Sequence, residues 1–402
     1  MPFPLSIIVR LALFALLLCG TGAHAQQYLP IVRTHDYAPQ MQEGEGGGSI
    51  THDRYNRIFI ALPNGLMVYD GEREWYIEQI SGVTALSYDA ASDRIYVGRE
   101  NDMGYLLIPN NQIDSLQYVS LSSKLNKKEQ EAGIIREIFF IKSSAGQTEN
   151  FKPGETASDD RLESSRATTE VCFYSDKGLY LFGLAGERLA PIDVKGLPEK
   201  RFSISIGNRR FKGAVKLGQK VYLFTPHKGV LEYTGRGERR YVSSSNPNTG
   251  FWGRDITFAH RLTRFSAMIG VYEGGKTRLF SFLGRNTVND MGIDDIPAEV
   301  FDATTITNSQ IMLATRRQGC FLIDPERGRL NGELNTFSGL EENEVRGIML
   351  DPNKRLWLTH PRNFSHAYVG LPLYDYNERS GTIYDLERYN GETYIATSDG
   401  VY

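Results

Sequence analysis

Glycines recur at nearly constant intervals along this chain, each at a turn between two apolar runs. Gly229, Gly274 and Gly319 follow one another at intervals of 45 residues, and Gly400 lies 81 residues, nearly two such intervals, beyond Gly319. A fixed period of this length indicates a repeated supersecondary unit, and it constrains the fold more than any single residue does. The chain should therefore be a series of similar units that pack on one another.

The clearest copy of the unit lies in residues 337–359. An apolar run, 348–350, ends at Asp351 and Pro352, and a second run, 356–358, carries Trp357. The Asp351 side chain can accept hydrogen bonds from backbone amides ahead of it and Pro352 fixes its own φ, so the two runs should form a β-hairpin. Hairpins spaced about 40 to 50 residues apart are typical of four-stranded blades.

We therefore predict an all-β fold, a seven-bladed β-propeller formed by residues 26–380. The segment from Tyr28 to Pro39, or strands near the C-terminus, should close the ring. Residues 381–402 should open an incomplete further blade or a second propeller. Composition agrees with this fold, because 22 Tyr, 20 Phe and 40 Gly in 402 residues suit strands and turns better than helices.

Four stretches of the chain resemble one bacterial family, the regulators whose periplasmic sensor region consists of propeller repeats followed by a triple-tyrosine domain. The opening blade of that family is similar to Tyr37–Pro39, His52–Ala61 and Asn64–Trp75. The second blade resembles Arg94–Leu106. Gly339–Trp357 is similar to the regulator-propeller repeat, and Ser380–Tyr402 resembles the blade after it.

The resemblance implies an extracytoplasmic sensor that recognises a small molecule or a glycan and works with other domains of a larger receptor. In that family a membrane helix and a cytoplasmic histidine kinase or DNA-binding module follow the propellers. This sequence departs from the pattern because it stops inside a blade, so we expect the output domains to be missing and the chain itself to be non-catalytic.

The first 25 residues have the composition of a cleaved secretory signal peptide. They contain one charged residue, Arg10, then an apolar run, 11–18, and the small-residue site Ala23-His24-Ala25. A lipoprotein signal that uses Cys19 is the alternative, although the bulky Leu18 before it fits poorly. The apolar run is shorter than the roughly 20 residues that a membrane-spanning helix needs. We therefore predict a periplasmic or secreted protein.

The charge and the later sequence exclude two classes of partner. The formal net charge is −3, and removal of Arg10 with the signal peptide leaves −4, so a nucleic-acid-binding surface is not indicated. No apolar stretch after the signal peptide is long enough to cross a membrane.

Metal, cofactor and catalytic motifs are scarce. Cys172 and Cys320 fall in strand patterns and should be buried as free thiols. The acidic run 289–295 lacks the alternating oxygen ligands and terminal glutamate of a calcium loop, so we interpret it as a loop between blades. His360 and His366 should bracket an exposed irregular turn, and no pair of histidines has metal-binding spacing. We predict no metal, no cofactor and no catalytic residue.

Residues 143–169 differ from the rest of the chain in composition. They contain no Val, Ile, Tyr or Trp and are rich in Ser, Thr, Glu and Asp. Such a segment cannot bury enough apolar surface to offset the entropy of ordering its backbone. We predict an insertion without fixed structure in the third blade, between its second and third strands.

The segment 241–255 offers the best candidate ligand site in the sequence. It carries Phe251, Trp252 and Arg254 beside Gly250 and Gly253. An aromatic pair can stack on a sugar, and a guanidinium can bind a carboxylate in a bidentate manner. Packing of the two aromatic rings under the loop is the alternative. Loop order predicts that this segment and the 143–169 insertion lie at the same rim of the propeller.

Two further functional classes remain open. Propellers also host secreted hydrolases and lyases, which would gather several acidic groups of perturbed pKa in one pocket. A truncated gene product without any output is the third alternative.

Overall fold

The computed structural model describes residues 32–39, 48–127, 130–143, 168–175, 178–185, 188–192, 213–218, 220–225, 229–233, 239–242, 255–283, 288–369, 383–389, 392–398 and 400–401. The chain divides into two compact units, Val32–Leu371 and Met1–Ile31 with Pro372–Tyr402. No α-helix occurs in the described ranges, which hold only strands and short 3-10 turns at Pro109–Asn111, Ile113–Ser115, Ser122–Lys124 and Thr336–Ser338. The predicted signal peptide, residues 1–25, lies outside the described residues.

The larger unit begins with strand β1 (Val32–Asp36), and six antiparallel sheets of four consecutive strands follow. Sheet 1 holds β2 (Ile50–His52), β3 (Ile58–Leu62), β4 (Gly65–Tyr69) and β5 (Glu74–Ile77). Sheet 2 holds β6 (Val83–Asp89), β7 (Arg94–Arg99), β8 (Asp102–Leu107) and β9 (Gln117–Ser120). Sheet 3 holds β10 (Ile135–Ser143), β11 (Thr168–Ser175), β12 (Gly178–Ala185) and β13 (Arg188–Ile192).

The other sheets follow the same plan. Sheet 4 holds β14 (Ala214–Leu217), β15 (Lys220–Thr225), β16 (Gly229–Tyr233) and β17 (Arg239–Val242). Sheet 5 holds β18 (Asp255–Arg261), β19 (Ala267–Glu273), β20 (Lys276–Phe282) and β21 (Val288–Asp290). Sheet 6 holds β22 (Val300–Thr307), β23 (Gln310–Thr315), β24 (Cys320–Asp324) and β25 (Arg329–Leu334). Sheet 7 combines β26 (Gly347–Leu350), β27 (Arg355–Thr359) and β28 (Asn363–Tyr368) with β1.

The sheets are arranged around an axis with their first strands innermost. Strand β2 contacts β6, and β6 contacts β10; β14 contacts β18, β18 contacts β22, and β22 contacts β26. Strand β26 in turn contacts β2. This radial order of twisted antiparallel sheets is an all-β propeller, as the repeat spacing predicted.

Each sheet is buried on both faces, which explains why the second strands are uninterrupted apolar runs. In β3, Ile58 and Ile60 pack toward sheet 7, whereas Phe59 and Ala61 pack toward sheet 2. Apolar clusters of this kind join every pair of successive sheets from sheet 1 to sheet 7. Two-sided burial removes the polar alternation of a half-exposed strand, because neither face meets water.

Strand β1 brings the beginning of the unit to its end. It pairs antiparallel with β28 from Val32 opposite Ala367 to Asp36 opposite Asn363, and so forms the outermost strand of sheet 7. Residues 32–36 belong to the segment 28–39, one of the two segments predicted to close the ring. A further contact joins sheet 7 to the segment that precedes sheet 1. The Gly48 carbonyl accepts a 2.8 Å hydrogen bond from the hydroxyl of Thr359 in β27.

A one-residue bulge recurs near the start of the first strand of several sheets. It lies between Val83 and Ala85 in β6, and β10, β18 and β22 carry it at the corresponding position. A bulge bends and twists a strand locally. Neither apolar periodicity nor turn chemistry marks this feature in the sequence.

The smaller unit contains a three-stranded sheet of β29 (Ile383–Tyr389), β30 (Glu392–Thr397) and β31 (Gly400–Val401). Its first strand has the same bulge, between Ile383 and Asp385. The hairpin predicted after residue 381 is therefore present. Its membership of a further blade stays a prediction.

The predicted position of the insertion within sheet 3 is wrong. The insertion at 143–169 connects β10 to β11, which are the first and second strands of sheet 3, not the second and third. The innermost strand is also buried between neighbouring sheets, so its run at 138–141 has the apolar character expected of a second strand. Residues 144–167 lie outside the described residues.

His360 and His366 do not lie in an exposed turn. Both are buried, at 2% and 7% exposure, and His366 belongs to β28. Strand β28 has the sequence Asn-Phe-Ser-His-Ala-Tyr, which contains no aliphatic run. The sequence analysis missed the strand for this reason. Cys172 and Cys320 are buried free thiols, as predicted, and burial raises the pKa of both.

Candidate functional site

The three predicted ligand-binding residues, Phe251, Trp252 and Arg254, lie outside the described residues and stay predictions. The segment that contains them joins β17 to β18, the last strand of sheet 4 to the first strand of sheet 5, as predicted. The 143–169 insertion joins first and second strands instead. Because successive antiparallel strands run in opposite directions, these two connections leave the propeller at opposite ends. The prediction of a shared rim is wrong.

At the end of the propeller where the first strands finish, aspartates form the turns of sheets 1, 2 and 7. In sheet 1 the Asp53 carboxylate accepts hydrogen bonds from the backbone amides of Tyr55 and Arg57, both at 2.9 Å. Its second oxygen accepts a 2.6 Å bond from Arg57 Nε. Asn56 takes up a left-handed backbone with φ of 61°, a conformation that Asn tolerates. The turn therefore fixes an arginine beside the tyrosine that it presents.

Tyr55 is an exposed aromatic ring with two guanidinium groups beside it. It remains 49% exposed, and the Cζ atoms of Arg54 and Arg57 lie 4.6 and 5.1 Å from its ring centroid. Arg54 forms an ion pair with Asp93 of sheet 2 at 3.1 Å. Arg57 also donates a 3.1 Å hydrogen bond to the carbonyl of Asn111. These contacts hold both guanidinium groups before any ligand arrives.

Sheet 2 adds a phenol and sheet 1 an imidazole. Tyr88 donates a 2.9 Å hydrogen bond to Asp93, and its ring centroid lies 5.8 Å from that of His52. His52 Nδ1 lies 3.0 Å from the Asp53 carbonyl, which can only accept, so Nδ1 carries the proton and Nε2 is an acceptor in the neutral ring. We call the set formed by His52, Arg54, Tyr55, Arg57, Tyr88 and Asp93 the Tyr55 cluster.

The electrostatics of the Tyr55 cluster favour binding over proton transfer. Burial raises the pKa of the Tyr88 phenol, and the hydrogen bond to Asp93 and the charge of that group raise it further. The pKa of Arg54 is also raised, chiefly by its hydrogen bond to Tyr55. Both groups therefore keep their protons near neutral pH, whereas a general acid or base works best with a pKa close to the operating pH.

The cluster presents an exposed aromatic ring, the exposed guanidinium of Arg54 and hydrogen-bonding groups of both kinds at one surface, whereas Arg57 is buried and paired with Asp53. An aromatic face can stack on the apolar side of a sugar ring, and guanidinium groups bind carboxylate, sulfate or phosphate with charge-assisted hydrogen bonds. The arrangement is thus suited to recognition of a polar ring compound.

The carboxyl groups with shifted pKa do not form an acid pair. Hydrogen bonds hold the pKa of Asp70 and of Asp351 below the usual range, although burial alone would raise both. Asp70 lies in an exposed turn of sheet 1, whereas Asp351 is buried in a turn of sheet 7. A general acid would need a raised pKa, so neither group is suited to that role.

Neither a metal site nor a membrane-spanning helix occurs among the described residues. In the part of the chain that the structure describes, no three His, Cys, Asp or Glu side chains gather as a metal site. Within the same ranges, no helix is both long and apolar enough to cross a membrane.

The chain is similar in fold to several solved structures. The extracellular domain described as that of a hybrid two-component system, BT3049 of B. thetaiotaomicron, is 16% identical, with a TM-score of 0.55 over 93% of this chain and 48% of that chain. The corresponding domain of BT4673 is 14% identical, with a TM-score of 0.55 over 93% and 45%. Virginiamycin B lyase from Staphylococcus aureus is 10% identical, with a TM-score of 0.55 over 84% and 99%.

The shared feature is the fold. These identities support a β-propeller and nothing finer. This chain spans just under half the length of the two sensor domains. No model of a known protein family matches the sequence, and no curated protein matches it.

Sequence reasoning missed the Tyr55 cluster, although part of its signal is legible. Asp53 and Arg57 stand four residues apart, and so do Asp351 and Arg355, where the same turn recurs in sheet 7. The sequence indicated the turn at Asp351. The approach of Asp93 and Tyr88 from sheet 2 depends on the packing of two sheets, and no local pattern shows it.

Proposed function

We propose that this chain is the extracytoplasmic ligand-recognition propeller of a signal-transduction regulator and is non-catalytic itself. The observation that carries the proposal is the likeness of 93% of the chain to extracellular domains of two-component systems. Those domains are about twice as long, which supports a role beside other domains of a larger receptor. Residues 1–25 would direct export as a signal peptide, and the protein would act in the periplasm or outside the cell.

The architecture proposed with this function is a single closed ring of seven blades, one for each four-stranded sheet. The contact of β26 with β2 and the pairing of β1 with β28 support closure between sheets 7 and 1. The bulge in β29 supports the assignment of β29, β30 and β31 as the first strands of a further blade.

The Tyr55 cluster is the proposed ligand site, and a small molecule or glycan with a sugar ring and an anionic group is the proposed ligand. Stacking on Tyr55 would bury the apolar face of the ring, and Arg54 would bind the anionic group. Arg57 is committed to Asp53 and would orient the tyrosine. The segment with Phe251, Trp252 and Arg254 is kept as a second proposed site.

Binding measurements with neutral and uronic-acid oligosaccharides would test the ligand site. We expect the double variant Tyr55→Ala with Arg54→Ala to weaken binding of an acidic oligosaccharide about 100-fold. Stacking on an aromatic ring and a hydrogen bond to a charged group each contribute roughly 1–3 kcal/mol. Isothermal titration calorimetry measures this effect. Phe337→Ala is a matched control, since Phe337 is 95% exposed and lies in the turn before sheet 7.

The outcome separates the proposed sites. Unchanged affinity in the Tyr55 and Arg54 double variant, with loss in Trp252→Ala and Arg254→Ala, would place the site in the 241–255 segment. Recovery of the oligosaccharide unaltered after long incubation supports a recognition module. Conversion to smaller products would instead support the enzyme alternative.

A further inference from the structure

Strand β1, the outermost strand of sheet 7, carries a half-buried histidine. His35 of β1 lies diagonally beside His366 of β28, and their ring centroids are 5.5 Å apart at an interplanar angle of 19°. His35 also stacks on Phe364 at 4.9 Å, and His366 packs on Trp357 at 4.7 Å. The two imidazoles are therefore parts of the apolar contact that attaches β1 to sheet 7.

One nitrogen of each imidazole lacks the hydrogen bond that would stabilise a charged form. Within the described part of the chain, His35 Nε2 and His366 Nδ1 are buried and no hydrogen-bond partner reaches them. A protonated imidazole is a donor at both nitrogens, so protonation would place an unsatisfied cationic N–H in each of these positions.

The arginines around His366 oppose its protonation. Arg33 of β1 stands opposite His366 in the register, and Arg355 of β27 lies on the same face with its Cζ 5.1 Å from the Trp357 ring. Asp351 is an acid in contact with this face. Its carboxylate already accepts hydrogen bonds from Arg355 Nε at 2.8 Å and Trp357 Nε1 at 2.9 Å.

Sheet 1 offers little compensation from the other side. It presents Tyr69, whose ring centroid is 5.4 Å from that of His35. Burial, and then the charges of Glu74 and Asp70, raise the pKa of the Tyr69 phenol. Tyr368 contacts His366 from within β28, at 6.4 Å between ring centroids. A tyrosine remains neutral through the acidic range, so these phenols do not offset a positive charge on the imidazole pair.

We propose that the pairing of β1 with β28 is an acid-sensitive latch, in which protonation of His366, on which His35 of β1 stacks, releases β1 from the edge of sheet 7. An imidazolium at His366 would be repelled by the neighbouring guanidinium groups of Arg33 and Arg355. Separation of β1 gives both rings access to water and relieves the repulsion. The proposal concerns the closure of the ring and is independent of the ligand site.

The direction of the pH effect follows from the balance of protons. Burial foremost, and then the charges of His35, Arg355 and Arg33, lower the pKa of His366 from 6.5 to about 4. Between these two values the open form binds more protons than the closed form. The closed latch therefore has its full stability above pH 6.5 and loses it as the pH falls toward 4. Asp351, whose pKa is lowered from 3.8, titrates below this window.

Hydrogen exchange detected by mass spectrometry tests the latch in the whole protein. After correction for intrinsic exchange rates, we expect the opening equilibrium of peptides that contain residues 32–36 to rise about 20-fold from pH 7 to pH 5, as linkage predicts for one group with these pKa values. Peptides from sheets 3 to 5 should keep their protection. In His366→Phe, which preserves an aromatic ring, the extra opening should disappear.

His260→Phe is the matched control, because His260 is partly exposed and bonded to Thr305 in another part of the ring. This variant should retain the response of the wild type. An equal pH response in His366→Phe, or equal loss of protection in all sheets, would overturn the latch. If His366→Phe does not fold, NMR titration of the His366 ring in the wild-type protein decides, since a pKa near 6.5 would refute the proposal.

Discussion

Asp351→Ala is expected to lower the free energy of unfolding by about 4 kcal/mol, because it breaks a buried network of charged and polar groups. The Asp351 side chain is fully buried. Its carboxylate accepts hydrogen bonds from Trp357 Nε1 at 2.9 Å, Arg355 Nε at 2.8 Å and the Arg355 backbone amide at 2.9 Å. Alanine would leave an indole N–H and a largely buried guanidinium without their acceptor. Chemical denaturation followed by tryptophan fluorescence measures the loss.

Asp70→Ala is the matched control for this substitution. Asp70 also accepts two backbone hydrogen bonds in a turn, from Glu72 at 2.9 Å and Arg73 at 2.8 Å, but it is exposed. We expect a loss of about 0.5–1 kcal/mol, since water replaces the lost acceptor. Equal effects at the two positions would contradict the view that burial of the Trp357 and Arg355 donors makes Asp351 important.

Gly347→Ala is expected to destabilise the propeller by about 3 kcal/mol through overpacking where sheet 7 meets sheet 1. A Cβ atom at Gly347 would lie 1.8 Å from the carbonyl oxygen of Gly48 and 2.9 Å from Thr359 Oγ1. Those two atoms are already hydrogen-bonded to each other. The contact between the Gly48 segment and β27 of sheet 7 must therefore shift to admit a methyl group. Denaturant titration gives the change in stability, and hydrogen exchange shows whether the strand starting at Gly347 loses protection first.

Gly328→Ala separates the steric effect from the effect of backbone conformation. Gly328 has φ of +63°, and a Cβ atom there would lie 3.5 Å from its nearest neighbour. This control should cost about 1 kcal/mol, the strain of a left-handed alanine without a clash. A loss below 1 kcal/mol at Gly347 would mean that the Gly48 segment moves aside without disturbing the junction.

Much of the fold could be predicted because its signals are local. Gly274 and Gly319 lie at turns between second and third strands, and this is why their spacing reported the period of the sheets. The hairpin around Asp351 is specified by side chains that bond to their own turn. Buried cysteines followed from strand patterns in the same way.

The rest of the fold depends on contacts between distant parts of the chain. Position within a sheet is such a property: β10 and a second strand have similar apolar runs, and only the packing around the axis distinguishes them. His366 has a polar side chain but is buried, because Trp357 and His35 pack against its ring. The Tyr55 cluster likewise requires Asp93, which a sequence pattern cannot place beside Arg54.

The pairing of β1 with β28 has a consequence for the order of folding. The outermost strand of sheet 7 is synthesised before every other strand of the larger unit, yet its partner is the last, and the bond from Thr359 to Gly48 joins positions 311 residues apart. Contacts of such large sequence separation form late, because a long loop must close before they contribute. Until then, sheet 7 has three strands and an unpaired edge on β28, an edge to which strands of other chains can add. We therefore expect dilution of the refolding protein to improve its yield, since dilution gives the chain's own first strand time to arrive.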